Sequence, residues 1–215
     1  RQRRRRRRLR RPSAASSLTI GSPSFDPGAG QPVFVAPATR FSLAAADPLS
    51  GGVAAGLRLI SLRRGADPFM VYASSFGLTA PDGLKTVEHF ADDNVGNVET
   101  AQSKTFALDG TAPATSLSAQ GGRQHPGPDA ASFYASADTR LALSAADPIV
   151  DTVASGVALI EYQDNGGPLQ SFGAALSLAE GRHALSYRSR DRVENLEVLR
   201  STAVLIDATP PVTTV

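Results

Sequence analysis

The sequence predicts an all-β protein in which two similar antiparallel β-sandwich domains follow one another, preceded by a disordered arginine-rich tail. Three observations predict this fold class. The chain repeats itself after about 100 residues, apolar residues alternate with polar ones over short stretches, and clusters of Gly, Pro, Asn and Asp separate these stretches. No part of the chain has the periodicity of a long amphipathic helix.

An internal repeat defines the domain organisation. Residues 39–62 and 139–162 are identical at 12 of 24 aligned positions without a gap. A period of this length is too long for one turn of a solenoid and matches a domain that folds by itself. We therefore expect a disordered tail over residues 1–16, one sandwich over residues 17–112 and a second over residues 113–215.

The first half of each repeat contains two predicted strands. The first lies at residues 18–20 and, in the second copy, at residues 115–117. The next strand of the first repeat has Phe41, Leu43 and Ala45 at every second position, which indicates a strand with one buried face. The Asp-Pro that follows ends the strand, because proline has no N–H to donate to a sheet.

The middle of each repeat contains a longer strand, a turn and a short strand. The longer strands lie at residues 57–62 and 157–163. In the second repeat a hairpin turn follows at residues 164–167, where Asn-Gly supplies the positive φ that a tight turn needs. The short strands are predicted at residues 76–78 and 176–178.

The last two strands of each repeat carry much of the predicted core. In the second repeat, His183, Leu185 and Tyr187 share one face of the first of these strands, since successive side chains alternate in direction. The residues that we expect to be buried in the two repeats are Phe41, Leu43, Val87, Phe106, Leu141, Leu143, Leu185, Tyr187 and Val204.

The arginine tail dominates the charge of the chain. Nine arginines lie among the first eleven residues, and without them 13 Lys and Arg face 20 Asp and Glu. The body is therefore acidic, so we expect no nucleic-acid binding by it. Three interpretations of the tail stay open: the edge of a fragment or a misassigned start, a polyanion-binding arm, or a targeting segment. No apolar stretch of the kind found in signal peptides follows it.

The sequence contains no combination of residues that indicates catalysis. There is no Cys, the three histidines (His89, His125 and His183) are far apart in sequence, and no Gly-x-Ser-x-Gly turn is present. We expect His183 to be a packed structural histidine. The prediction is that the protein is not an enzyme and needs no cofactor. No apolar run approaches the length of a membrane helix, so we also expect no membrane insertion.

An acidic loop in the first repeat is a candidate calcium site. Asp92, Asp93, Asn97 and Glu99 offer hard oxygen ligands of the kind that Ca²⁺ binds. Asp and Asn are also common in turns, where their side chains bond the local backbone, and this alternative stays open. In the second repeat two arginines flank Asp191 and would repel a cation there.

Four motifs in a fixed order connect the chain to a known family. They are Leu18-Thr19-Ile20-Gly21-Ser22-Pro23, Ser155-Gly156-Val157, Gly181-Arg182-His183-Ala184-Leu185-Ser186-Tyr187-Arg188-Ser189-Arg190-Asp191 and Asp207-Ala208-Thr209-Pro210-Pro211. In this order the chain resembles a bacterial Ig-like repeat family, the type often labelled OmpL47-type or generic bacterial Ig-like. The first repeat departs from the family pattern, with His89-Phe90-Ala91 in place of Tyr-Arg-Ser. The resemblance implies two Ig-like sandwiches.

The resemblance also implies a function. Such repeats serve as spacers, stalks or adhesion segments of extracellular or cell-envelope proteins, with a surface protein or glycan as partner. Residues 211–215 match residues 113–117, which indicates either a segment of a longer tandem array or a final strand that closes the second domain. One alternative is a glycan-binding accessory module of a secreted enzyme. Its candidate aromatic residues are Phe133, Tyr134 and Tyr162, and the lack of Trp counts against it. The other alternative is polyanion binding through the arginine tail.

Overall fold

The computed structural model describes residues 14–214, which form β-strands and connecting loops without a helix. None of these residues therefore belongs to a helix that could cross a membrane. The chain divides into two compact units, Arg1–Leu108 and Asp109–Val215, so the boundary precedes the expected one at residue 112. Most of the predicted disordered tail lies outside the described residues. Its last two residues, 15 and 16, instead begin the first strand.

The first unit is a sandwich of two sheets. Its strands are β1 (Ala15–Ile20), β2 (Ser24–Phe25), β3 (Val33–Val35), β4 (Phe41–Ala46), β5 (Leu57–Arg64), β6 (Met70–Val71), β7 (Gly83–Asp93) and β8 (Gln102–Leu108). One sheet pairs β1 with β4, and the other has the order β2-β3-β8-β7-β5-β6. Strand β3 runs parallel to β8, whereas the other pairs are antiparallel. This is an Ig-like arrangement.

The second unit repeats this topology. Its strands are β9 (Ala114–Gln120), β10 (Gln124–Pro126), β11 (Ser132–Ser136), β12 (Arg140–Ala146), β13 (Val157–Asp164), β14 (Gln170–Ser171), β15 (Gly181–Asp191) and β16 (Arg200–Asp207). The sheets are β12-β9 and β10-β11-β16-β15-β13-β14, and β11 is parallel to β16. The prediction of two tandem Ig-like β-sandwiches is therefore confirmed.

Each unit has its own apolar core between its two sheets. All nine residues predicted to be buried are at most 7% exposed, which confirms that prediction. In the first unit the ring of Phe41 packs between Phe76 and Phe106, with ring centroids 5.5 and 4.9 Å away. In the second unit Leu141 takes the place of Phe41 and packs with Leu185. Strict alternation along β4 and β12 turns these side chains inward.

Two local predictions had different outcomes. The turn at residues 164–167 is confirmed, since Asn165 has a φ of 50° and Gly167 N–H donates to the Asp164 carbonyl at 2.9 Å. The short strands predicted near Phe76 and Leu176 are reduced to single bridges, to Phe41 and Leu141. Phe76 and Leu176 still pack on the cores. The apolar residues at these positions therefore indicate buried side chains, but they do not indicate a strand that is paired along its length.

Candidate functional site

In both repeats the aspartate directly after strand β4 or β12 binds the backbone amide of a glycine at the far end of the following loop. Asp47 Oδ2 accepts a hydrogen bond from the Gly56 amide at 2.8 Å, and Asp147 Oδ2 accepts one from the Gly156 amide at 2.6 Å. The two glycines have φ of +84° and +85°, a conformation that side chains with Cβ rarely adopt. The repeated Asp-Pro and Gly therefore define one loop shape.

A second aspartate in each repeat organises the turn after the longest strand. Asp93 Oδ1 accepts the amides of two following residues, and its Oδ2 accepts Asn97 Nδ2 at 2.6 Å. Asp191 makes the same set of bonds, including Asn195 Nδ2 at 2.7 Å. These bonds are those of an aspartate that shapes its own turn.

The second repeat adds a third carboxylate that the sequence reasoning missed. Asp109 is fully buried, and its Oδ2 accepts the Ser155 amide at 2.7 Å. Its backbone carbonyl accepts Asn195 Nδ2 at 3.0 Å. Oxygens of Asp109, Asp147 and Asp191 lie within 4.8 Å of one another. We call these three residues the aspartate cluster.

The corresponding aspartates of the two turns have pKa values shifted in opposite directions. Burial pushes the pKa of Asp93 up, but its hydrogen bonds from Asn97 and neighbouring amides prevail, so that pKa lies below its ordinary value. Burial raises the pKa of Asp191 above its ordinary value against similar hydrogen bonds, and the negative charge of Asp109 adds to this rise. A nearby like charge disfavours the ionised form. The aspartate cluster therefore concentrates negative charge.

One arginine lies beside the aspartate cluster. Arg192 Nη1 donates to the Ser155 carbonyl at 3.3 Å, where the first repeat has Asn94 Nδ2 donating to the Ala55 carbonyl at 3.0 Å. The second repeat therefore differs from the first in two ways: it has a third carboxylate, Asp109, and it has an arginine in the position of Asn94. With the three aspartates ionised, a single arginine leaves the cluster formally negative.

The structure does not gather the four predicted calcium ligands of the first repeat around one point. Asp92 pairs with Arg58, while the neighbouring Asp93 bonds to Asn97. Glu99 instead accepts hydrogen bonds from the amides of Ser16 and Ala91. Within residues 14–214 the acidic group with metal-like spacing is the aspartate cluster instead. The hydrogen bonds of Asp93 and Asn97 fit the turn interpretation that the sequence left open.

A glutamate in each repeat, half-buried at Glu99 and buried at Glu197, joins the two sheets. Glu99 Oε2 accepts the Ser16 amide of β1 and the Ala91 amide of β7, each at 3.0 Å. Glu197 Oε2 likewise accepts the Thr115 amide of β9 and the Ser189 amide of β15, each at 3.0 Å. Because the donors belong to different sheets, each carboxylate ties one sheet to the other.

A serine and a histidine meet in the first repeat beside Glu99. Ser16 Oγ lies 2.8 Å from His89 Nδ1 and donates to Glu99 Oε2 at 2.5 Å. The hydroxyl has one hydrogen, which it gives to Glu99, so His89 Nδ1 is the donor in its contact with Ser16 in this arrangement. In the second repeat Tyr187 stands where β7 has His89. The arrangement is a hydrogen-bond network around the sheet-joining glutamate.

Comparisons with known proteins identify no family. No protein-family model matches the chain, and no curated protein matches it. Among solved structures, the chain is similar to the fibronectin(III)-like modules of CbhA from Clostridium thermocellum. The identity is 12% and the TM-score is 0.43, over 89% of this chain and 95% of that chain.

Proposed function

We propose that the chain is a non-catalytic module of the bacterial Ig-like type. In this proposal it serves as a spacer, stalk or adhesion segment of an extracellular or cell-envelope protein. One observation carries the proposal: the acidic residues that both repeats share are used to build the fold. Glu99 and Glu197 join sheets, and Asp93 and Asp191 shape turns. None of these contacts needs a substrate.

The network around Ser16 gives the sharpest test of the non-catalytic proposal. A nucleophilic serine passes its proton to a histidine, whereas Ser16 gives its hydrogen to Glu99. We expect no turnover of ester, amide or glycoside substrates above the buffer rate. The Ser16→Ala variant is the matched control. Hydrolysis that the wild type performs and Ser16→Ala loses would contradict the proposal.

One observation favours glycan binding as a second candidate function. Of the three candidate aromatic residues, Phe133 and Tyr162 pack against the core, whereas Tyr134 is 42% exposed. Tyr134 lines an open cavity of about 220 Å³ together with Arg123 and His125. An exposed ring beside polar side chains is a surface on which a sugar ring packs.

A glycan microarray separates the two candidates. A spacer, a stalk or an adhesion segment that binds a surface protein predicts no glycan signal above background for the wild type. The glycan proposal predicts a signal that Tyr134→Ala abolishes and that Tyr72→Ala, a control in the first repeat, leaves unchanged. Fractionation of the native host, with an antibody against the protein, tests the proposed extracellular or envelope location.

A further inference from the structure

The aspartate cluster poses a problem of buried charge. Asp109 is 0% exposed and Asp191 is 1% exposed, and both lie with Asp147 in one small volume. Buried carboxylates are costly unless a positive charge or a set of hydrogen bonds compensates them. Arg192, bonded to the loop carbonyl of Ser155, supplies one positive charge. The arginines beside Asp191 were expected to repel a cation, but with Asp109 added to the cluster two formal negative charges remain, which a divalent cation would neutralise.

A buried hydroxyl lies next to the cluster without a hydrogen-bond partner. Ser155 is 2% exposed, and its Oγ makes no hydrogen bond. The amide of Ser155 is directed at Asp109 Oδ2, and the next amide, of Gly156, is directed at Asp147 Oδ2. The Ser155 hydroxyl is therefore attached to a backbone segment whose two N–H groups both donate to carboxylates of the cluster. A buried, unsatisfied hydroxyl is unfavourable unless a further group completes it.

We infer that the second repeat binds one calcium ion through Asp109, Asp147 and Asp191, with the hydroxyl of Ser155 as a further ligand. A carboxylate has two oxygens with about four lone pairs, so accepting hydrogen bonds from amides does not prevent it from binding a cation as well. The amides of residues 155 and 156 and the side chain of Asn195 then act as the outer groups that orient the ligands.

The donor set favours Ca²⁺ over softer metals. All the donors are oxygens, and the chain has no Cys for a softer metal. Two oxygens on opposite sides of Ca²⁺ are separated by about 4.6–5.2 Å, but on opposite sides of Mg²⁺ by only about 4.0–4.2 Å. The cluster oxygens lie within 4.8 Å of one another. This upper limit admits either ion, so the preference for Ca²⁺ rests on its tolerance of irregular oxygen coordination, whereas Mg²⁺ demands near-octahedral geometry.

The first repeat provides an internal control. It has Asp47 and Asp93 in the positions of Asp147 and Asp191, with the same hydrogen bonds to Gly56 and Asn97. It has Ala55 where the second repeat has the serine hydroxyl. The strand registers align Ala15 with Ala114, so by sequence the counterpart of Asp109 is an arginine, at position 10. The inference therefore predicts one site per chain, in the second repeat.

Titration calorimetry of the complete chain tests the inference. The inference of a calcium site does not depend on the proposed spacer function. CaCl₂ is titrated at constant ionic strength, with MgCl₂ and NaCl as comparisons. We expect one site per chain with a Kd of about 10⁻⁴–10⁻³ M, the range of extracellular calcium modules. Asp147→Asn should weaken Ca²⁺ binding by about tenfold or more. The matched variant Asp47→Asn should leave it unchanged.

Amide NMR spectra of the wild type give a second readout that does not depend on the folding of a variant. On addition of CaCl₂ the signals of Ser155, Gly156 and Asn195 should shift and saturate, while those of Gly56 and Asn97 stay in place. The inference is overturned if no saturable binding occurs up to about 10 mM CaCl₂. Equal affinity for Mg²⁺, or a shift of the first-repeat signals instead, overturns it as well.

Discussion

Replacing Glu197 by alanine should destabilise the second repeat strongly. The carboxylate is buried and accepts the amides of Thr115 and Ser189, which lie on different sheets. Without it both amides are buried without an acceptor, and each costs about 1–3 kcal/mol, so the free energy of unfolding should fall by about 2–6 kcal/mol. Urea unfolding followed by the amide NMR signals of each repeat measures this loss, because two domains need not unfold together.

Arg200 provides the matched control for Glu197. Its guanidinium lies 2.7 Å from Glu197 Oε1, but the side chain is 52% exposed. An exposed ion pair contributes little, so Arg200→Ala should cost less than about 1 kcal/mol. If Arg200→Ala cost as much as Glu197→Ala, the ion pair and not the sheet-joining hydrogen bonds would carry the energy. A loss below about 1 kcal/mol in Glu197→Ala would refute the reasoning altogether.

Three further predictions concern the core, acid stability and the tail. Leu143→Ala, at a position 5% exposed, should lower the free energy of unfolding by about 2–5 kcal/mol in urea, and Leu49→Ala, at a position 75% exposed, should not change it. Burial pushes the pKa of Glu197 up, but hydrogen bonds outweigh burial and hold that pKa below its ordinary value. The stability that Glu197 contributes is therefore present above the pKa of the unfolded state and is lost as pH falls through the lower folded value, so Glu197→Gln should flatten the acid end of the stability profile. Deleting residues 1–12 should leave the melting temperature unchanged in calorimetry; a drop of several degrees would show that the arginines stabilise the body.

The strands were predictable because they repeat and alternate. Phe41, Leu43, Leu141 and Leu143 recur at every second position, and a period of two can place them only on one face of a strand. The segment around Phe76 shows the limit of this argument. Its apolar residues pack on the core, but only one of them pairs with a neighbouring strand. A sequence pattern reports which side chains are buried and does not report where their backbone hydrogen bonds go.

The functions of the acidic residues were harder to predict. Glu99 was considered as a ligand beside its sequence neighbours, but it bonds to Ser16, 83 residues away. The boundary expected at residue 112 puts Asp109 in the first repeat, whereas Asp109 packs in the second unit, against Ser155 and Asn195. Both contacts depend on how the sheets face each other. Local spacing in the sequence carries no signal for such contacts.

Hydrogen exchange of the complete chain tests most directly whether each repeat is a sandwich held together by its own glutamate. The account predicts that the amides of Ser16 and Ala91 in the first repeat, and of Thr115 and Ser189 in the second, exchange only on unfolding of their own repeat. Glu99→Gln should speed exchange at Ser16 and Ala91 alone, and Glu197→Gln at Thr115 and Ser189 alone. Fast exchange at these four amides in the wild type, or a loss of protection that spreads equally through both repeats in either variant, would contradict the account.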